Sequence, residues 1–112
     1  MIDARRMEVY TALYSSEGKV IKEVSASIID ENSFMDFLET GEVYFFGNGA
    51  NKCKNIITHK NAIFKGPEKT SAQYMQSLAE EKFNQNNFEN VAYFEPFYLK
   101  DFVATVAKNK LI

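Results

Sequence analysis

The sequence contains a single cysteine and a single histidine. Cys53 cannot build a disulfide framework within the chain, so packing and hydrogen bonds must hold the fold. His59 cannot form a transition-metal site alone, because such sites draw on three or four ligands. It stands in a polar stretch with Lys60 and Asn61 and reads as a solvated loop residue. Apolar runs are only a few residues long, so nothing approaches the roughly 20 residues that span a bilayer. Neither sign of charge dominates, with 13 basic and 15 acidic residues giving a net charge of −2. The basic residues are dispersed, which argues against a nucleic-acid-binding field. The first residues show no charged-then-apolar leader with a small-residue cleavage site. With the lone cysteine, this makes the reduced cytoplasm the expected setting.

What the chain does contain suits one domain spanning residues 1–112, since it is 46% hydrophobic and 14% aromatic. From Glu8 to Tyr14 the residues alternate, with Val9, Thr11 and Leu13 on one face and Glu8, Tyr10, Ala12 and Tyr14 on the other. The polar turn Ser15-Ser16-Glu17-Gly18 leads into a second alternating run over residues 19–29, where Val20, Val24, Ala26 and Ile28 share a face. With residues 1–4 as a first strand, this predicts three antiparallel strands.

Helix-start chemistry follows at residues 30–33, where Asn32 or Ser33 can cap a short helix carrying Phe34, Phe37 and Leu38. Gly41 is placed to end it in a left-handed conformation. Val43-Tyr44-Phe45-Phe46 is apolar without alternation, as in a strand covered on both faces. Gly47-Asn48-Gly49 breaks it, and Ala50, Cys53, Ile56 and Ile57 recur at helical spacing, completing a strand-loop-helix unit of a parallel crossover. Ala62-Ile63-Phe64 predicts a strand ended by Gly66-Pro67. Thr70 and Gln73 resemble a capping box before a helix with the apolar stripe Ala72, Met75, Ala79 and Phe83. The aromatic string Tyr93, Phe94, Phe97, Tyr98 and Phe102 has little basic interleaving, so it reads as an extended tail packed on the domain rather than a base-stacking surface. The end of that tail, residues 108–112, is expected to fray. The layout is α/β, a mixed sheet of three antiparallel then parallel strands with flanking helices, like the ribonuclease-H-like fold.

Three segments in order carry a family resemblance: IDAR followed by EVY at residues 2–10, FGNGA at 46–50, and EPFYLK at 95–100. Together they resemble the TsaB (YeaZ-type) family of bacterial tRNA threonylcarbamoyladenosine synthesis, within the glycoprotease-like, actin-like ATPase superfamily. The resemblance covers nearly all of this chain but only the second half of such a protein. It implies the C-terminal half of a two-lobed body, without its N-terminal lobe. The implied role is a non-catalytic scaffold supporting a TsaD-type catalytic paralogue together with a TsaE-type ATPase. No cofactor, direct nucleic-acid contact or membrane contact is implied. Catalytic relatives hold a metal through an H-x-x-x-H pair, which a chain with His59 alone does not make. A fragment opening within a sheet would also expose apolar surface, so homodimerisation is expected.

Each chemical candidate has a plainer structural reading beside it. Gly47 and Gly49 lie where a strand meets a helix, a place where a phosphate can reach backbone amides. The third glycine of the dinucleotide fingerprint is missing, so a tight turn is the favoured reading. Cys53 falls on an apolar stripe, where a small buried thiol is usual; Lys52 and Lys54 would activate it only if it were exposed. Asp3, Arg5, Arg6 and Glu8 cluster at a strand corner. There they either fix the corner through hydrogen bonds or present a contact for a partner subunit. The rival functions are a nucleotide-dependent transferase or hydrolase using the glycine turn, and an autonomous protein-interaction module pairing through a sheet edge.

Overall fold

In the computed structural model, which describes residues 1–100, the chain opens as an antiparallel meander. Strand β1 (Ile2–Asp3) pairs with β2 (Glu8–Tyr14), and β2 pairs with β3 (Val20–Ile28). The β2–β3 turn closes as its residues dictate. Ser15 N–H donates to Lys19 O over 2.8 Å, and Gly18 N–H to Ser15 O over 2.9 Å.

The alternation of β2 is that of its sequence, with Val9 and Thr11 buried. On β3 Val20, Ala26 and Ile28 share a face as expected, opposite Tyr14, Tyr10 and Glu8, but it is the face turned away from Val9. Val9 is opposite Ser27 and Thr11 opposite Ser25, so hydroxyls rather than apolar groups share the inner face there. The register then slips twice, between Thr11 and Leu13 and between Leu13 and Tyr14. Each slip puts an extra residue on β3, and with a two-residue strand period the two reversals cancel, so Val20 faces the same way as Ile28. Val20, Val24 and Ile28 are all exposed.

The next segment is tied by Asp30, whose carboxylate accepts from Asn32 N–H (2.9 Å) and Ser33 Oγ (3.0 Å). Neither Asn32 nor Ser33 caps the helix that follows, α1 (Met35–Leu38), which is a single turn. Phe34 precedes it at φ 64°, a left-handed conformation costing about 1–2 kcal/mol. That strain turns its ring into the core, edge-on to Phe45 at 5.5 Å. Gly41 is not left-handed; the glycines with positive φ are Gly18, Gly47 and Gly66.

Strand β4 (Val43–Phe45) runs parallel to β5 (Ala62–Phe64), with Phe45 opposite Phe64 and their rings stacked at 5.1 Å. The parallel crossover is therefore present. Its connecting element is a short 3-10 turn (Asn51–Cys53) rather than a full helix, although Ala50, Cys53 and Ile57 are buried as their spacing implied. Nor is β4 covered on both faces. Phe45 is buried, whereas Tyr44 is 54% and Phe46 49% exposed. The core thus lies on one side of the strands, where Val9, Ile29, Leu38, Phe45, Ala50, Cys53 and Ile57 meet.

Beyond β5 the expectations of packing fail. Ser71, not Thr70, caps the next segment, accepting from Gln73 N–H at 3.4 Å. A 3-10 turn (Ala72–Met75) runs into α2 (Gln76–Asn84), and both are exposed throughout. The stripe Ala72, Met75, Ala79 and Phe83 therefore lies open, with Lys82 interrupting it. Tyr93, Phe94, Phe97 and Tyr98 are also exposed, so they do not pack on the sheet. Phe102 and the expected fraying of residues 108–112 lie outside the described residues. No helix among the described residues is long and apolar enough to cross a membrane.

Candidate functional site

The two clusters that the sequence presents separately, the charged corner and the glycine turn, form one joint. The chain leaving β4 runs alongside β1: the Met1 nitrogen donates to Phe46 O (2.8 Å) and Gly49 N–H to Met1 O (3.3 Å). Asn48 Oδ1 accepts from Asp3 N–H at 2.7 Å. This approach is too close for side chains. A Cβ on Gly47 would stand 2.0 Å from Met1 O, and one on Gly49 would stand 2.8 Å from the Ile2 carbonyl carbon. The pair of glycines is thus explained by backbone contact as well as by the turn.

Three of the amides that could cradle a phosphate are already committed. Gly47 N–H donates to Pro67 O (2.8 Å), Gly49 N–H to Met1 O, and Ala50 N–H to Gly47 O (3.1 Å). An anion at this turn would have to displace bonds that hold the strands together.

Lys52 closes the joint from below. Its ammonium donates to the Asp3 carboxylate, to Arg6 O and Glu8 O at 2.6 Å each, and to Ala4 O at 3.3 Å. Three N–H donors serve four acceptors drawn from one turn. These bonds hold a corner in which Arg6 is left-handed at φ 55° and Ala4 N–H donates to Glu8 O at 3.1 Å. In the sequence Lys52 stands out only as a charge beside Cys53. No local signal reveals its role, because its partners lie more than 40 positions earlier.

Glu8 faces the other way and pairs with Lys100 at 2.5 Å. The hydrogen bond that the Lys100 ammonium donates to that carboxylate, helped by the carboxylate's charge, holds its pKa above the ordinary lysine range. Arg5 is exposed and forms no ion pair among the described residues.

Cys53 is fully buried, with its thiol donating to Gly49 O at 3.3 Å. Burial pushes its pKa up, against a smaller opposing pull from Lys52. A thiol kept neutral is a poor nucleophile. Native protein at neutral pH should therefore resist iodoacetamide, while urea-unfolded protein should react fully, as mass spectrometry of the adduct would show. Because the folded pKa is the raised one, this thiol's contribution is complete at neutral pH. It declines as pH climbs past the unfolded thiol value of about 8.5.

His59 is half-buried, and its Nδ1 accepts from Asn61 N–H at 3.1 Å, which places it in a turn rather than a site. No cluster of metal-ligating side chains occurs among the described residues. A groove of about 590 Å³ opens between the β2–β3 turn and the α1–β4 connection, lined by Leu13, Tyr14, Ile21, Phe37, Val43 and Tyr44 among others. It is large enough for a small molecule, but no histidine, cysteine or lysine lines it.

Neither the protein-family models nor the curated proteins give a match to this chain.

Proposed function

We propose that the chain is the C-terminal, ribonuclease-H-like domain of a TsaB (YeaZ-type) protein, acting as a non-catalytic scaffold in cytoplasmic tRNA threonylcarbamoyladenosine synthesis. The observation that carries this reading is the joint between β1 and the turn after β4. Two of the three family-like segments meet there: IDAR forms β1 and its corner, and FGNGA supplies the glycines against which β1 lies. A sheet continued across that joint would run β3-β2-β1-β4-β5, three antiparallel strands followed by a parallel pair, as the resemblance implies.

A scaffold role is favoured over chemistry at the glycine turn because the amides of Gly47, Gly49 and Ala50 and the Lys52 ammonium already hold β1 and its corner. The TsaD-type paralogue and the TsaE-type ATPase are the proposed partners, with the exposed Arg5 beside Asp3 and Glu8 offering a charged contact.

The test is genetic. Depleting the chain from its native cells should reduce threonylcarbamoyladenosine in digested tRNA measured by mass spectrometry, and re-expression should restore it. An unchanged nucleoside level in depleted cells would remove the reading.

A further inference from the structure

We propose that Asn48-Gly49 is a self-modification site gated by β1. While β1 lies against the glycine turn the pair is held unreactive. When β1 lifts, the Gly49 nitrogen closes on the Asn48 side chain, and the isoaspartate that results keeps β1 from returning. The inference does not depend on the role in tRNA modification.

Asparagine followed by glycine occurs once in the sequence. This is the pair in which asparagine cyclises most readily, because a following residue without Cβ leaves its backbone nitrogen unshielded. The Gly49 nitrogen attacks Asn48 Cγ. Its proton and the side-chain amide leave together as ammonia, and a five-membered succinimide remains. Water then adds to one of the two ring carbonyls. Opening at the side-chain carbonyl gives aspartate. Opening at the main-chain carbonyl gives isoaspartate, in which the chain runs through the former side chain and gains one methylene. Water is the only co-reactant.

The fold supplies both the site and its lock. A Cβ on residue 49 would stand 2.8 Å from the Ile2 carbonyl carbon and 2.9 Å from the Asp3 nitrogen, so glycine is required there. The residue that lets β1 approach is therefore the one that makes Asn48 reactive. Three bonds hold the pair still. Asn48 Oδ1 accepts from Asp3 N–H (2.7 Å), Gly49 N–H donates to Met1 O (3.3 Å), and Ala50 N–H closes the turn on Gly47 O (3.1 Å). Cyclisation breaks the last two. The ring nitrogen carries no hydrogen for Met1 O, and the peptide between Asn48 and Gly49 must swing out of the turn to reach Cγ. Asn48 is exposed to water but Gly49 is buried, so the attacking nitrogen is the restrained partner. The step thus needs a local opening of the joint.

The two products differ in consequence. Aspartate at position 48 still offers Asp3 N–H an acceptor. Isoaspartate lengthens the chain where Gly47 and Gly49 leave no room for one added carbon.

The full chain is incubated in mildly alkaline buffer, folded and in urea, and the peptide holding Asn48 is followed by mass spectrometry with fragmentation that separates the products. Modification should be about tenfold slower or more in the folded chain, because its rate follows the open fraction. Lys52→Met, which frees the corner after β1, should speed it severalfold in folded protein. If circular dichroism shows that variant unfolded, Lys52→Arg is read in its place. Protein enriched in isoaspartate should melt well below the parent, and Asn48→Asp should melt close to it. Four outcomes would each overturn the proposal: equal rates in folded and unfolded chain, a faster rate in the folded one, no acceleration in the folded Lys52 variant, or isoaspartyl protein that melts like the parent.

Discussion

Gly47→Ala should destabilise the fold by about 3 kcal/mol or more, enough to leave a marginal domain largely unfolded at 37 °C. Two independent costs add at this position. The new methyl carbon would sit 2.0 Å from Met1 O and 3.0 Å from the Met1 carbonyl carbon, so β1 must move away from the turn. Overpacking of this kind costs about 1–3 kcal/mol, and more where backbone rather than a flexible side chain is struck. The residue is also left-handed at φ +97°, which adds about 1–2 kcal/mol for any side chain. Gly41→Ala is the control, because nothing lies within 4 Å of its added carbon and its φ is not positive. Melting followed by circular dichroism should show a fall of at least 10 °C for Gly47→Ala, given about 4–8 °C per kcal/mol in a domain of this size. Equal melting points for the two variants would show that β1 does not lie against the turn.

Lys52→Met should cost about 2–4 kcal/mol, the second large effect. Methionine keeps most of the aliphatic stem but leaves Asp3, Arg6 O and Glu8 O without their shared donor. Hydrogen bonds to a charged group are worth about 1.5–3 kcal/mol, and removing one partner of an enclosed pair costs more than the pair itself contributes. The figure stays below the sum of the bonds because Lys52 is 22% and Asp3 52% exposed, so water recovers part of the loss. Lys52→Arg should rescue only partly, since a planar guanidinium cannot converge on acceptors arranged around a point. Lys100→Met offers the contrast. Its ion pair with Glu8 is open to water on the lysine side, so solvent screens it and the variant should melt close to the parent. Urea titration of the three variants would check the ranking. A Lys52→Met midpoint equal to that of Lys100→Met would remove Lys52 from its structural role.

Both effects concern residues whose importance is invisible to local reading. Gly47 and Gly49 read as a turn, and they are one; the reason no side chain fits comes from a strand 45 residues away in sequence. Lys52 reads as a charge next to a cysteine, yet its ammonium ties a corner formed by residues 3–8. The strand assignments were legible for a different reason. Alternation over Glu8–Tyr14 and the serine-glycine turn are local properties of side-chain period and turn geometry. The same local rule holds on β3, where Val20, Ala26 and Ile28 share a face; that this face lies away from the core is decided by the register, with Ser27 opposite Val9.

The sequence by itself determined the element order through β5, the buried thiol of Cys53 and the absence of a disulfide, because these follow from periodicity, turn chemistry and composition. Tertiary structure alone decided that the corner and the glycine turn are one joint, because their contacts bridge more than 40 residues and depend on backbone distances that no residue type encodes. It also decided that α2 and the aromatic segment after it remain unburied. An amphipathic stripe specifies that a surface seeks cover; which surface provides it depends on how the ends of that segment are held.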